Sequence, residues 1–533
     1  MNIQKSINWI FTGNYLYFTS LILVVFLILS IFCTLDEQSY NWFFSADALY
    51  LPSIYKDLFM DGGTLNGWHF NSAPNFFPDM PSYFLLMYIT GSFLLSTAFF
   101  ACIQYIIIIV LLRAILMQIL QKEMVNRIVI LSNLLLAMYF VRTMLVHDLY
   151  MSFYLLINSY HTSIFTMALL SYLLFILYLK NGARVFLIFL IIISFLGVLS
   201  DKLVLMSITV PIICLSLFYN KSPYDKRRSL VAGGLVFLAS VLGIVFFNVL
   251  KNLKIIHFGL PFKMFAFNEM FASAQLFMKD TLYYITSLDL NSIILFLSFF
   301  SLIIGIFITG FNIIKRKKFS NWSFYILFST IFSIAVIGAP LINGSYVSID
   351  CFRYNIYPYY LGALNFPLIL FRSKLWFNRI SVITIPVLMV YYFILIFNSF
   401  SLTGFKAYSE YYPEKVRIID EIAMKEGLLK GVGNYWDAKF ISMFSRQNVR
   451  VYAVFGRLHK YYHLANEHWY NADTAIFNFI IDKEMDHLAI KKIFHLDTLV
   501  YINNSPDIIM VPEFKYDENT LDPVLLGPDI EHN

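Results

Sequence analysis

Two aspartates, Asp47 and Asp79, are the residues of this chain best suited to acid–base chemistry. They lie in an acidic segment, residues 35–94, that is rich in aromatic side chains. A carboxylate can act as general base on a hydroxyl group, and aromatic rings offer flat faces on which a sugar can stack. We take Asp47 and Asp79 as candidate catalytic residues. Trp68 and His69, which lie between them, are candidate substrate-binding residues.

The same residues also have a structural interpretation. Apolar and aromatic residues follow Asp47 at helical spacing, which predicts a helix on the membrane surface with Asp47 near its N-terminus. A carboxylate is favoured there and can cap the helix. Asp79, between Pro78 and Pro81, could cap a second interfacial helix, and the aromatic residues are typical of a belt at the membrane interface.

Cationic side chains that could hold a phosphate come later in the chain. Arg353 and Tyr354 are adjacent at the start of an apolar run, and a guanidinium binds phosphate oxygens bidentately. Lys202 follows Asp201 in a short turn, where it either contacts a phosphate or forms an ion pair between two helix ends. Arg353, Tyr354 and Lys202 are candidate substrate-binding residues. The alternative for Arg353 is a side chain that reaches the lipid headgroups.

The histidines give a weaker signal. His147, Asp148 and His161 flank one turn, and His–Asp pairs are used in general-base and metal chemistry. Adjacent residues on a helix point apart, so His147 and Asp148 would not form a dyad by themselves. We count His161 among the candidate substrate-binding residues, with a headgroup-facing ring as the alternative. No His or Asp spacing is typical of a metal site, so no metal ligand is assigned, and Mg²⁺ or Mn²⁺ stays open as a cofactor.

Membrane helices are the elements that must position these residues. The chain of 533 residues is 59% hydrophobic and 14% charged, whereas soluble domains are about 25% charged. This composition excludes a water-soluble globule, and apolar runs of about 20 residues are long enough to span a bilayer. The net charge of +6 comes largely from Lys and Arg between the apolar runs. It therefore reports membrane topology and not nucleic-acid binding.

Eleven apolar runs are predicted to be membrane spans. They are residues 15–34, 95–119, 128–146, 162–179, 184–200, 203–219, 230–250, 291–314, 321–340, 355–371 and 381–400. Basic clusters occupy every second connection. Because cytoplasmic loops carry an excess of Lys and Arg, we place the N-terminus in the cytoplasm and residues 35–94 outside. Residues 80–91 are predicted to form an interfacial or re-entrant helix that ends at Gly91 and Ser92, since a further span there would move every later basic cluster outside.

The composition changes near residue 401, where charges become frequent and apolar runs shorten to strand length. Strands are predicted at residues 449–455, 476–481, 498–502 and 507–514, with helices at 415–429, ending near Gly431, and at 486–495. This alternation predicts a small α/β domain. The chain is thus expected to consist of an all-α polytopic membrane domain, residues 1–400, and a C-terminal extracytoplasmic α/β domain, residues 401–533.

This organisation resembles the GT-C superfamily of polytopic membrane glycosyltransferases. The resemblance covers the first span, the long outer loop with aspartates and interfacial helices, the further spans and the C-terminal domain. It implies an inverting enzyme that moves a hexosyl or pentosyl group from a polyprenyl-phosphate donor to a glycan, lipid or protein acceptor, with the catalytic carboxylate in the first outer loop. Asp47 takes that role by position, and Asp79 is second. The adjacent pair Asp36 and Glu37 better fits the place where many members have two acidic residues, so the base stays open among these residues.

The resemblance also matches Arg353 and Tyr354 to positions that contact phosphate. Other functions stay open: a flippase for lipid-linked sugars, a polysaccharide polymerase or ligase, and a non-catalytic assembly partner. The spans carry almost no charge at mid-membrane, which counts against an ion-coupled carrier. Short connections indicate a bacterial inner membrane. The expected partners there are membrane lipids, a polyprenyl-linked donor and a cell-envelope acceptor, with no nucleic acid.

Overall fold

The computed structural model describes most of the chain, which is predominantly helical. The described residues are 14–146, 150–218, 225–254, 257–258, 267–286, 290–315, 318–371, 374–428, 430–471, 475–502 and 508–516. The α-helices are, in chain order, α1 (Tyr15–Cys33), α2 (Glu37–Phe43), α3 (Tyr50–Phe59), α4 (Asp79–Thr90), α5 (Phe93–Met117), α6 (Lys122–Val146), α7 (Tyr150–Leu156), α8 (Thr162–Asn181), α9 (Arg184–Ser200), α10 (Val210–Leu217), α11 (Lys226–Asn252), α12 (Phe267–Thr286), α13 (Leu290–Ile314), α14 (Asn321–Ile342), α15 (Ile356–Leu370), α16 (Lys374–Ser399), α17 (Leu402–Ser409), α18 (Glu414–Glu426), α19 (Tyr435–Phe444) and α20 (His487–Ile493). The strands are β1 (His69–Phe70), β2 (His257–Phe258), β3 (Lys430–Gly433), β4 (Arg450–Ala453), β5 (Phe477–Ile481), β6 (Val500–Tyr501) and β7 (Ile508–Phe514).

Two compact units make up the chain, each built from separate stretches of sequence. The first, which we name the helical unit, consists of Met1–Ser39, Asn75–Asn248 and Phe262–Ser409. The second, the mixed unit, consists of Tyr40–Pro74, Val249–Pro261 and Glu410–Asn533. The mixed unit therefore combines C-terminal residues with part of the segment that follows α1.

Among the described residues, eight helices are long and apolar enough to cross a membrane. These candidate spans are Tyr15–Cys33, Phe93–Met117, Met124–Leu145, Thr162–Asn181, Lys226–Asn252, Ser292–Ile314, Asn321–Ile342 and Arg379–Ser399. Each corresponds to a predicted span, so the all-α polytopic architecture is confirmed. The other three predicted spans are shorter helices: α9, α10 after a π-helical turn, and α15. At about 1.5 Å per residue they are about 20–26 Å long, shorter than a hydrocarbon core of about 30 Å, so their crossing stays a prediction.

The apolar stretch after residue 80 is broken where the sequence predicts a break. Helix α4 ends at Thr90, and Gly91 adopts a left-handed backbone conformation (φ 63°) whose N–H donates to the carbonyl of Met87. Glycine has no Cβ, so it takes this conformation without steric cost. The hydroxyl of Ser92 then accepts a hydrogen bond from the N–H of Leu95 and caps α5. With only 12 residues, α4 is too short to span the membrane.

The mixed unit contains the predicted α/β fold. Its five-stranded sheet has the order β4-β3-β5-β7-β6, in which β4, β3 and β5 are parallel and β7 is antiparallel to both neighbours. The four predicted strands are present as β4 to β7, and the two predicted helices as α18 and α20. Helix α18 ends at Glu426, before the predicted Gly431, because Gly427 adopts a left-handed conformation (φ 68°). Phe477 and Ile480 of β5 lie in the buried core beside the sheet.

Candidate active site

Asp79 lies in the first turn of α4 and is almost completely buried, with 2% of its surface exposed. The hydroxyl of Ser163 donates a hydrogen bond to its Oδ2 over 2.8 Å. Burial raises the pKa of Asp79 from 3.8 to about 7. The hydrogen bond from Ser163 and the charge of His161 oppose this rise, and the charge of Asp201 adds to it. The carboxyl group of Asp79 therefore titrates near neutral pH.

The residues before Asp79 are tied to the end of α9. The N–H of Phe77 donates to the hydroxyl of Ser200 over 2.6 Å, and the N–H of Asn75 donates to the carbonyl of Ser200 over 3.3 Å. Asp201, which follows Ser200, is the C-cap of α9. These contacts bring the start of α4 and Asp201 into one region of the helical unit.

His161 contacts Asp201 from the residues before α8. Its Nδ1 is paired with Oδ2 of Asp201, and Oδ1 of Asp201 accepts a hydrogen bond from the N–H of Leu203 over 2.8 Å. His161 and Ser159 both have left-handed backbone conformations, with φ of 64° and 68°. Such conformations are uncommon outside glycine and cluster at functional sites, where the surrounding structure holds them in place.

Arg353 and Tyr354 approach His161 from the turn before α15. The rings of Tyr354 and His161 have centroids 5.4 Å apart. Nη2 of Arg353 donates to the hydroxyl of Tyr354 over 3.2 Å. The guanidinium also lies over the rings of Tyr354 and Tyr160, at 5.1 and 6.0 Å from their centroids. We name the residues linked by these contacts the Asp79 cluster: Asp79, Ser163, His161, Asp201, Tyr354 and Arg353.

Two polar side chains adjoin this cluster in the sequence. Lys202 follows Asp201, and its ammonium lies 4.8 Å from the centroid of the Phe247 ring, a cation–π distance. Asn355 follows Tyr354 and is 0% exposed. Neither Oδ1 nor Nδ2 of Asn355 has a hydrogen-bond partner among the described residues. A buried polar group without a partner costs about 1–3 kcal/mol, so a bound polar group or water at Asn355 would be stabilising.

Asp47 belongs to the mixed unit, where it lies in a second polar cluster. The N-cap of α3 is Leu49, so the interpretation of Asp47 as a helix cap is wrong. Oδ1 of Asp47 accepts a hydrogen bond from the hydroxyl of Tyr435 over 2.7 Å. Lys439 is buried next to them, with Nζ 3.5 Å from the carbonyl of Ala46. Burial lowers the pKa of Lys439 from 10.5 to about 7, although the charge of Asp47 opposes this shift.

Trp68 is fully buried beside a carboxylate that the sequence analysis did not select. Asp57 is 5% exposed and accepts hydrogen bonds from the indole N–H of Trp68 (2.6 Å) and of Trp469 (2.7 Å). Nδ2 of Asn466 donates to the same carboxylate over 2.9 Å. Trp68 therefore packs in the interior of the mixed unit. Its role in substrate binding stays a prediction.

A cavity of about 440 Å³ opens beside Asp57 in the mixed unit. Its lining includes the cationic side chains of Lys56, Lys439 and Arg450 and the aromatic ring of Trp469. Burial lowers the pKa of Lys56 from 10.5 to about 8. The lining also includes the carboxylates of Asp57 and Asp61, and Asp61 pairs with Arg450 over 2.7 Å, so the cavity carries charges of both signs.

His69 lies in β1, which pairs with β2 so that His69 is opposite His257. Its Nε2 is 3.1 Å from Oε2 of Glu467. Its ring stacks on those of His257 and Tyr462, at centroid distances of 5.0 and 4.8 Å. Burial lowers the pKa of His69, while the hydrogen bond to Glu467 opposes this shift. His69, His257 and Glu467 form a group whose ligand atoms could hold a metal ion. The sequence analysis, which assigned no metal ligand, did not find it.

The structure brings several separately predicted residues together. Asp79, His161, Arg353 and Tyr354 belong to the Asp79 cluster, and Lys202 is adjacent to its member Asp201. Asp47, Trp68 and His69 belong to the mixed unit.

Two other predicted pairs have different outcomes. Oδ1 of Asp36 accepts a hydrogen bond from the N–H of Ser39 over 2.8 Å in the first turn of α2, and Asp36 and Glu37 are both exposed. His147 and Asp148 lie outside the described residues. Sequence reasoning missed Ser163 as a partner of Asp79. It also considered Asp201 only as a partner of Lys202, because nothing in the sequence connects either residue to the first outer loop.

No protein-family model matches the sequence, and no curated protein matches it either. The structure is similar to the crystal structure of the Archaeoglobus fulgidus oligosaccharyltransferase in complex with Zn and sulfate, with 12% sequence identity and a TM-score of 0.38. The match covers 84% of this chain and 62% of that chain, so it spans less than two thirds of the neighbour's length. Because the TM-score is below 0.5, no substrate and no residue's role follows from the similarity.

Proposed function

We propose that the protein is an integral-membrane inverting glycosyltransferase that moves a sugar from a polyprenyl-phosphate donor to a glycan, lipid or protein acceptor. One observation carries this proposal. Asp79 is a candidate base from the first outer loop and Arg353 is a candidate phosphate ligand from much later in the chain, and both belong to the Asp79 cluster. Such a transfer requires a base and a phosphate ligand in one site, and the contacts of the cluster connect the two residues through His161 and Tyr354.

Asp79 is the general base in this proposal. A base works best when its pKa lies near the operating pH, and burial raises the pKa of Asp79 to about 7. The hydrogen bond from Ser163 occupies Oδ2 and fixes the orientation of the carboxylate. The sequence analysis ranked Asp47 first by position. Asp47 remains an alternative base, and its contacts are to Tyr435 and residues around it in the mixed unit.

Arg353 is the ligand of the donor phosphate. Its guanidinium lies at cation–π distance from two tyrosine rings, Tyr160 and Tyr354, which favour one position of the side chain. A guanidinium offers paired N–H donors that match two phosphate oxygens. The buried amide of Asn355, two residues after Arg353, is a further polar group with which a ligand could form hydrogen bonds.

The reaction follows from these roles. The carboxylate of Asp79 accepts the proton of the acceptor hydroxyl as that oxygen attacks the anomeric carbon. A new C–O bond forms on one face of the sugar, and the bond from the anomeric carbon to the phosphate oxygen breaks on the other face. Polyprenyl phosphate leaves with the bonding electrons, and Arg353 stabilises the charge that develops on it.

A divalent cation is not assigned to this cluster. Both oxygens of Asp201 and Oδ2 of Asp79 already have partners. The group of described residues with metal-ligand spacing, His69, His257 and Glu467, lies in the mixed unit. Mg²⁺ or Mn²⁺ as a cofactor stays an open prediction.

The experiment measures transfer of radiolabelled sugar from a polyprenyl phosphate to a crude envelope-glycan acceptor by the purified full-length protein. Wild type is compared with Asp79→Asn, Asp47→Asn and the control Asp225→Asn. Asp225 is an exposed residue of the helical unit whose carboxylate accepts a hydrogen bond from the N–H of Arg228. Loss of a positioned general base costs about 10²–10⁴-fold in rate. We expect that loss in Asp79→Asn and near-normal rates in Asp225→Asn.

Each other outcome has a defined meaning. A loss confined to Asp47→Asn would move the base to the mixed unit and contradict the role of Asp79. Donor binding without transfer by wild type, together with movement of the donor between leaflets in vesicles, would favour the flippase instead.

A further inference from the structure

Three side chains of the mixed unit, His69, His257 and Glu467, converge from distant parts of the sequence. Each offers one ligand atom, and these atoms all lie within 4.8 Å of one another. All three residues are half-buried, so the group is partly shielded from solvent and still accessible to a small ion. None of them belongs to the Asp79 cluster, so a role for this group is independent of the proposed function.

Main-chain hydrogen bonds hold two of these residues side by side. The N–H of His69 donates to the carbonyl of Ala465, and the N–H of Glu467 donates to the carbonyl of Gly67, each over 2.8 Å. The third residue is placed by the pairing of β1 with β2, which puts His257 opposite His69. Main-chain contacts therefore bring the three residues together independently of the interactions between their side chains.

The distances suit a small transition-metal ion. Zinc bound by His nitrogen and carboxylate oxygen at about 2.0–2.2 Å in a tetrahedron has ligand atoms about 3.3 Å apart. Nε2 of His69 and Oε2 of Glu467 are already 3.1 Å apart. The rings of His69 and His257 are stacked with centroids 5.0 Å apart and planes inclined by 25°. All three ligand atoms lie within 4.8 Å of one another, so shifts of roughly 1–1.5 Å would bring them to this tetrahedral spacing.

A hydrogen bond between His69 and Glu467 accounts for only two of the three residues. Ring stacking with Tyr462 and His257 adds to the packing of His69, but it does not require the ligand atoms of both imidazoles to lie close to the carboxylate of Glu467. We propose that His69, His257 and Glu467 bind a divalent transition-metal ion, with Zn²⁺ as the best match to two imidazoles and one carboxylate. Three protein ligands leave the fourth position of the metal open to water or to a further ligand. The ion would join three segments of the mixed unit that are far apart in the sequence.

The test measures Zn²⁺ bound to the purified full-length protein after excess metal has been removed by dialysis. The variants are His257→Gln and Glu467→Gln, in which the glutamine side chains are neutral and Glu467→Gln keeps the size of the side chain. The control is His487→Gln. His487 is an exposed histidine of the same unit that is also paired with a carboxylate, that of Asp482. Folding of each variant is checked by size-exclusion chromatography and circular dichroism.

We expect about one Zn²⁺ per wild-type chain, a loss of at least tenfold in affinity in His257→Gln and Glu467→Gln, and no loss in His487→Gln. Co²⁺ in place of Zn²⁺ should give wild type the intense visible absorption of four-coordinate cobalt. Two results would overturn the proposal: wild type that binds no Zn²⁺, or folded His257→Gln and Glu467→Gln proteins that retain wild-type affinity.

Discussion

Replacement of Asp79 by asparagine should stabilise the folded protein at alkaline pH. Burial raises the pKa of Asp79 from 3.8 to about 7, so the folded state binds the proton more tightly than the unfolded state does. The stability that this proton contributes is fully present below the unfolded pKa and is lost as the pH rises through about 7. At about 1.4 kcal/mol per pH unit, the full loss is about 4 kcal/mol.

Asparagine removes this pH dependence, because it is neutral at every pH and its Oδ1 can still accept the hydrogen bond from Ser163. The gain in unfolding free energy of Asp79→Asn over wild type should therefore be about 3 kcal/mol larger at pH 8 than at pH 5. The assay is thermal or denaturant unfolding of both proteins in the same detergent at both pH values.

The control variant Asp225→Asn, at an exposed helix start, should change stability by the same small amount at both pH values. A gain for Asp79→Asn that is equal at pH 5 and pH 8, or larger at pH 5, would refute the reasoning. It would mean that the carboxyl group of Asp79 is not held in a buried site that favours its neutral form.

Three further predictions concern other charged groups. Arg353→Lys keeps the charge but loses the paired donors, so we expect KM for the donor to rise roughly tenfold with little change in thermal stability; an unchanged KM would remove Arg353 from donor binding. Asp57→Asn should destabilise the protein by about 3 kcal/mol in denaturant unfolding. The two oxygens of Asp57 each accept a hydrogen bond from an indole, of Trp68 and of Trp469, and an amide has only one oxygen. Wild-type stability of the variant would contradict that role. Lys439→Met should stabilise the protein more at pH 6 than at pH 10. Burial lowers the folded pKa of Lys439 to about 7, so its cost is present below that pH and disappears towards the unfolded value of 10.5; a larger gain at pH 10 would contradict this account.

Local patterns were enough to predict most of the fold. Gly91 interrupts a long apolar stretch, and helix α4 ends just before it because this glycine adopts a left-handed backbone conformation. The strands β4 to β7 coincide with short apolar runs, so their positions could be predicted from the sequence. Helix α9 has the bounds of its predicted span and α15 is one residue shorter at each end, whereas the predicted span 203–219 contains a π-helical turn before α10 that hydropathy does not show.

The partners of the site residues could not be predicted in the same way. Asp79 contacts Ser163, and His161 contacts Asp201, because α4 and α8 begin, and α9 ends, in one region of the helical unit. The spacing of these residues along the chain has no periodicity from which their contacts could be predicted. The same is true of the metal-ligand group, where β1 and β2 have only two residues each and carry no recognisable strand pattern.

The most direct test of the central claim, that Asp79 is the general base of a sugar transfer, is the pH dependence of single-turnover transfer from a polyprenyl-phosphate sugar. For wild type, the account predicts a rate that rises with pH and levels off above about pH 7, where the carboxyl group of Asp79 is ionised. Asp79→Asn should be slower by about 10²–10⁴-fold, without that inflection. An Asp79→Asn protein with the wild-type rate and the same inflection would contradict the claim.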